Sequence, residues 1–246
     1  MSASIADLKS VHGYRWMKDR NRCHLILFTR FPQPGATKTR LIPLLGTQGA
    51  ADLQREMTEH VTGQICKFLA THPVRVDIRF DGGDAAQMGK WLGRGFNYHP
   101  QGPGDIGCRM RTAFKDAFAA GAKTAVLIGG DVPGISALIL HKAFTALTHE
   151  NMVIGPARDG GYYLLGLRDR AFSRIGHFLF DGCNWGGDRV FAKTVANAGK
   201  DGISCIILEE LTDIDRPEDL PVWHRVLQKK IGRYEKKRFS DHFGAQ

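Results

Sequence analysis

The chain has 246 residues, 43% hydrophobic and 24% charged, which suits one large domain or two small ones and excludes disorder for its body. No apolar run approaches the ~20 residues of a membrane helix, and the polar N-terminus has no secretory pattern, so a soluble, cytoplasmic protein is expected. Of the net charge of +9, residues 1–22 and 224–246 carry nearly all, leaving 23–223 with 22 basic and 21 acidic side chains; this argues against a nucleic-acid groove on the folded body.

HLILFT (24–29) predicts a buried first strand, and the Pro/Gly/basic stretch FPQPGATKTRLIP follows it as a loop. From Ala50 to Ala70 the apolar residues Leu53, Met57, Val61, Ile65 and Phe68 recur at helical spacing. VRVDIRF (74–80) alternates and predicts a half-exposed edge strand, followed by a short helix at 84–93 and a weak strand at 96–99. A helix over 106–121 buries Met110, Ala113, Phe114 and Ala117, and TAVLIG (124–129) is the clearest interior strand. Next come helix 136–148, strands 151–155 and 162–167, helix 187–199, strand 203–208 and helix 216–231. The alternation predicts a single α/β domain over 23–223 with a mostly parallel sheet flanked by helices, a basic extension before it and a basic helix end and tail after it.

The five cysteines are scattered, with no C-x-x-C pair, which fits reduced thiols and argues against a structural zinc site. Cys66 and Cys205 fall within apolar periodicity and are expected in the core; Cys108 and Cys183 are expected in polar loops.

In parallel sheets ligands bind outside the carboxyl ends of the strands, which selects the loops after Thr29, Gly129, Gly155 and Leu208. The first carries Arg30, Lys38 and Arg40 with Gly35 and Thr39 between them. Three cations on one loop mouth suit a phosphate, for which Arg offers a fork and Lys a point charge. Gly102, Gly104 and Gly107 spell G-x-G-x-x-G, but the preceding GFNYHP is polar and ends in proline, so a dinucleotide fingerprint is excluded. Gly104 and Asp105 remain phosphate-contact candidates, with Asp105 also suited to capping the next helix. Asp131 follows the best interior strand, and Ser136 is the better cap for the helix beyond it. A carboxylate opposite a basic loop suits magnesium, or manganese, shared with substrate phosphates. Asp159, Gly160 and Gly161 form a tight turn between two strands and, with Asp188 after Trp185-Gly186-Gly187, are substrate-contact candidates. In LTDIDRPEDL, Asp215 with Glu218 reads as a helix cap, which leaves Asp213 as the second metal ligand.

Taken in order, FTRFPQPGATKTRL, QGPGDIGCRM, LIGGDVPGIS, GPARDGGYYLLGL, WGGDRVF and LTDIDRPEDL resemble a bacterial family of glycosyltransferase-A-fold proteins related to 2-phospholactate guanylyltransferase and, more distantly, to molybdenum-cofactor guanylyltransferase-like enzymes. The resemblance implies a nucleotide-diphospho-sugar transferase fold and a divalent ion. It assigns Lys38, Thr39 and Arg40 to a nucleotide phosphate, and Asp131 and Asp213 to the metal. The sequence departs from the relatives in two places. FTRFPQPG stands where pyrophosphorylases open with Leu-Ala-Gly-Gly, and Gly129-Gly130-Asp131 replaces the central D-x-D of many metal-dependent glycosyltransferases.

The expectation is a magnesium-dependent transferase with a nucleotide-activated small-molecule donor and an unspecified acceptor, glycosyltransferase-like, with Lys38, Arg40 and Asp131 as catalytic residues. Nucleotidyl transfer with release of pyrophosphate, and a non-catalytic nucleotide-binding scaffold, are the alternatives.

Overall fold

The computed structural model describes residues 22–228. Seven strands form one sheet in the order β3-β2-β1-β4-β6-β5-β7. They are β1 (Cys23–Arg30), β2 (Arg75–Asp81), β3 (Asn97–Pro100), β4 (Thr124–Gly129), β5 (Met152–Pro156), β6 (Tyr162–Arg168) and β7 (Cys205–Ile207). Only β6 runs against its neighbours, because the short turn 157–161 folds it back along β5 before it pairs with β4. The carboxyl ends of β1, β2, β3, β4 and β5 therefore share one edge with the start of β6.

The helices are α1 (Ile42–Leu69), α2 (Ala85–Leu92), α3 (Ile106–Ala119), α4 (Ala137–His149), α5 (Asp169–Ile175) and α6 (Val190–Gly199). The chain is again helical at 220–228, and the remainder of the helix expected to 231 lies outside the described residues, as do residues 1–21 and 229–246 of the two basic tails. Helices α1 and α4 cover one face, where Phe68 and Phe144 stack 5.4 Å apart over Leu25, Leu27, Val126 and Ile128. Helices α3, α5 and α6 cover the other, over Ile26, Phe28, Leu127, Ile154 and Leu165. Burial on both faces explains why these strands read as continuous apolar runs. Two caps fall where the sequence places them: Asp105 accepts from the Cys108 amide at 2.8 Å, and Ser136 from the Ile139 amide at 3.3 Å.

Three expectations are corrected. Strand β2 is interior, with β3 outside it, because its alternate polar residues are buried in pairs: His24 Nδ1 lies 3.4 Å from Asp77 Oδ2, and Arg79 bonds Asp116 at 2.7 Å. Cys66 is exposed on the outer face of α1, and Cys108 lies in the first turn of α3. Helix α5 was not anticipated; seven residues are too few to display helical periodicity. No helix of the described residues is long and apolar enough to cross a membrane.

Candidate active site

The loop after β1 is built around a type II turn. The Gln33 carbonyl accepts from the Ala36 amide at 3.1 Å, with Pro34 and the positive-φ Gly35 (81°) at its centre. The Thr37 hydroxyl ties back to the Gln33 carbonyl at 3.1 Å. Lys38 then adopts φ 48°, the sole left-handed non-glycine among the described residues, a conformation that costs of order 1–3 kcal/mol. It turns the side chain inward: Nζ lies 2.9 Å from Asp131 Oδ2 and 3.8 Å from Asp215 Oδ1. Arg40, two residues on, pairs with Asp215.

The acidic side is assembled from two distant segments. Gly130 packs its bare Cα against Thr29, where a Cβ would stand 2.9 Å from the hydroxyl, and its amide bonds the Phe28 carbonyl at 2.8 Å. This close approach carries Asp131 to the mouth of the basic loop. The Asp131 carbonyl accepts from the Ile214 amide at 3.1 Å, and Ile214 is fully buried. With Ile214 pinned, the carboxylates on either side of it diverge: Asp215 lines one cavity and Asp213 another.

The larger cavity, about 550 Å³, lies over the ends of β1, β2 and β4 and is walled by Arg30, Lys38, Thr39, Arg40, Asp81, Gln101, Arg109, Asp131 and Asp215. Arg30 pairs with Asp81 at 3.1 Å, and Arg109 bonds the Gln101 side-chain carbonyl at 3.3 Å. The smaller, about 230 Å³, holds Asp131, Asp159, Gly161, Trp185 and Asp213. Both share Ile106, Met110, Gly129, Asp131, Tyr162 and Tyr163, so they adjoin at Asp131.

The charges are compensated unevenly. Burial pushes the Asp131 carboxyl up, but the charge and hydrogen bond of Lys38 outweigh it and hold the group below its ordinary range. Asp213 is pushed up to about 6 by burial and by the charges of Asp159 and Asp131. Tyr163, raised by burial, donates to the Glu209 carbonyl at 3.1 Å. Among the described residues no group of three or more His, Cys, Asp or Glu side chains is arranged to hold a metal ion. The repelling pair Asp131 and Asp213 still fits a hard cation whose remaining ligands are substrate oxygens and water, the usual magnesium arrangement.

Lys38, Thr39, Arg40, Arg30 and Asp131 thus meet at one cavity, and Asp159, Gly161 and Asp213 at the next. Several candidates fall elsewhere. Gly35 is exposed at its turn, away from both cavities; Gly104 and Asp105 stop short of them, the Asp105 carboxylate being taken by its cap, while Ile106 and Arg109 one turn on line the wall. Helix α6 begins at Val190, so Asp188 precedes its first turn and its side chain is exposed. Asp188 packs by its backbone on Gly160, where a Cβ would meet its carbonyl at 2.1 Å, and Gly160 is therefore a packing glycine. Asp215 is not the cap: Asp219 accepts from the Asp215 and Arg216 amides at 3.0 and 2.8 Å, freeing Asp215 for the basic loop. The residues that sequence reading missed are Asp81, Gln101, Arg109 and Asp215. The first two stand at strand ends, a signal hidden by treating β2 as an edge.

Residues 64–187 match the profile of a family described as uncharacterized proteins conserved in bacteria, DUF2064. The chain belongs to this family. A crystal structure from Desulfovibrio desulfuricans G20, described as a "putative nucleotide-diphospho-sugar transferase", is 31% identical to this DUF2064 chain, covers 89% of it and 95% of its own length, and superposes with a TM-score of 0.74. More distant likenesses include 4-diphosphocytidyl-2C-methyl-D-erythritol synthase from Anaerococcus prevotii DSM 20548 (12% identity, 86% and 98% covered, TM-score 0.58). Another is CMP:2-keto-3-deoxy-manno-octonic acid synthetase complexed with CTP (11%, 85% and 99%, 0.54). At such identities the likeness is one of fold, and the fold is that of the nucleotide-diphospho-sugar transferases. No curated protein matches the sequence.

Proposed function

We propose that this DUF2064 protein transfers a group from a nucleotide-activated donor, with the donor's phosphates in the larger cavity and the acceptor in the smaller. The observation that carries this reading is the Lys38 ammonium, 2.9 Å from Asp131 where the two cavities join. The Desulfovibrio relative's name and the fold support the same class of reaction.

The rim cations Arg30, Arg40 and Arg109 attract the donor's phosphates, and Lys38 fixes them at the junction, where negative charge grows as the donor bond breaks. Preorganised cations aimed at that charge are a large part of transferase catalysis. Asp131 and Asp213 would hold magnesium or manganese, which when bound neutralises phosphate charge and favours the leaving group. Asp159 lines the acceptor side, and Ile106 and Met110 give the junction an apolar wall. The FTRFPQPG opening, unlike that of pyrophosphorylases, favours glycosyl transfer. The Lys38-Thr39-Arg40 run shared with guanylyltransferases favours nucleotidyl transfer as the second reading.

A thermal-shift screen of nucleoside triphosphates and nucleotide sugars, with and without magnesium, tests the proposal. At least one nucleotide should raise Tm by several degrees, as mass action requires of a ligand at many times its Kd, and magnesium should enlarge the shift. Release of a nucleoside diphosphate would identify glycosyl transfer, and pyrophosphate nucleotidyl transfer. Turnover surviving in both Asp131→Asn and Asp213→Asn would overturn the metal assignment. Nucleotide binding with no donor consumed would leave a binding protein.

A further inference from the structure

The cavities that adjoin at Asp131 carry opposite charge. The larger has four cations in its wall, Arg30, Lys38, Arg40 and Arg109, against the carboxylates of Asp81, Asp131 and Asp215; the lining of the smaller has Asp131, Asp159 and Asp213 and no basic side chain. Its remaining surface is apolar and aromatic: Met110, Val132, Trp185 and Val190. Trp185 is seated by a bare glycine, since a Cβ on Gly107 would stand 2.3 Å from its ring. Asp159 is oriented by its own turn, one carboxylate oxygen accepting from the Gly161 amide at 2.8 Å.

We propose that the smaller cavity takes an uncharged or cationic acceptor, a hydroxyl- or amine-bearing ring of about monosaccharide size, and rejects phosphorylated or carboxylated ones. This rests on the donor reading of the larger cavity. An anion entering here meets the carboxylates of Asp131, Asp159 and Asp213, of which Asp131 is answered by Lys38 at 2.9 Å from the neighbouring cavity, and the remaining excess of like charge is a means of exclusion. With Asp131 and Asp213 assigned to a cation, Asp159 is the carboxylate left to accept from an acceptor's O–H or N–H. The opposite wall suits the C–H face of a ring, an apolar surface with a few convergent polar groups being the usual build of a small-molecule site. The volume of about 230 Å³ equals that of roughly eight waters at ~30 Å³ each.

The test reads the part of the tryptophan fluorescence that is lost in Trp185→Phe. D-glucose, D-glucosamine and D-glucose 6-phosphate are titrated into protein saturated with the nucleotide that the thermal screen selects. Glucose and glucosamine should perturb this signal at concentrations at least tenfold below glucose 6-phosphate. Asp159→Asn, which keeps an acceptor for the Gly161 amide, should narrow the gap between glucosamine and glucose 6-phosphate several-fold. The proposal is overturned if glucose 6-phosphate binds as tightly as glucose, or if none of the three rings perturbs Trp185. Failure of every nucleotide to bind strikes the donor reading instead; the same rings are then titrated into unloaded protein, where the same order is expected.

Discussion

Asp77 and Asp131 are both carboxylates leaning on a cation, one inside the sheet and one past its carboxyl edge, and they do opposite work. Asp77, in β2, is enclosed: its carboxylate is 6% exposed, with His24 Nδ1 at 3.4 Å, Arg75 Nε at 3.2 Å and the Asn97 amide at 2.8 Å. Burial raises its pKa, but the bonds from His24 and Asn97 and the charge of Arg75 prevail and set it at about 2. Asp131, past the end of β4, has one close cation and a carboxylate 39% exposed to a cleft. The Asp77 carboxylate is enclosed by protein groups, whereas that of Asp131, beyond the carboxyl edge, stays partly open. Chemistry is therefore expected where a charge network is incomplete, and stability where it is closed.

The largest effect should come from opening the junction. Lys38→Met, which keeps the bulk and removes the charge, should lower kcat/KM for the donor about 100-fold, on the scale of losing one electrostatic transition-state contact, and weaken nucleotide binding measured by calorimetry. An effect under fivefold would place the phosphates elsewhere.

Breaking the enclosed network should do the reverse. Asp77→Asn should cost about 3 kcal/mol of stability, the usual size for a buried pair left with one member, or roughly 6–12 °C of Tm for a domain of this size, with nucleotide Kd unchanged. The same network makes an acid prediction. Because the folded pKa of Asp77 lies below its ordinary 3.8, at about 2, its contribution, on the order of 2 kcal/mol, is full above the unfolded value and is lost as pH falls from there through 2. Denaturant titrations of wild type and Asp77→Asn should converge over that window.

A third change sharpens the contrast by separating stability from function. Asp213 is crowded by Asp159 and Asp131, so Asp213→Asn should raise Tm by roughly 2–4 °C, the equivalent of about 1 kcal/mol, while donor turnover falls. A fall in both would make Asp213 architectural. The smallest effect belongs to Arg30, whose side chain is 53% exposed beside Asp81. Arg30→Ala should weaken nucleotide binding only a few-fold, and the difference should shrink in high salt.

Much of this arrangement was legible in the sequence wherever an interior strand runs straight into unusual residues. TAVLIG points to Asp131, and HLILFT to Lys38 and Arg40. What escaped depended on partners elsewhere in the chain. Asp215 sits in a string that resembles a cap, and its pairing with Lys38 and Arg40 appears only once the Ile214 amide is bonded to the Asp131 carbonyl. Arg109 reaches the cavity because Asp105 starts α3 where it does, and a one-residue shift would turn the guanidinium away. The polar alternation of β2 suggested an exposed face, because nothing local announces that His24 and Asp116 come to meet Asp77 and Arg79.

Gly160 has one more consequence. Its lack of a side chain lets the hairpin tip rest on the Asp188 backbone, and the Phe191 amide bonds its carbonyl at 2.9 Å. The hairpin bearing Asp159 and the segment bearing Trp185 are thereby riveted together at one joint. Whatever seats itself between them grips both jaws at once, and a methyl group at that joint would spring them apart without touching a single reactive atom.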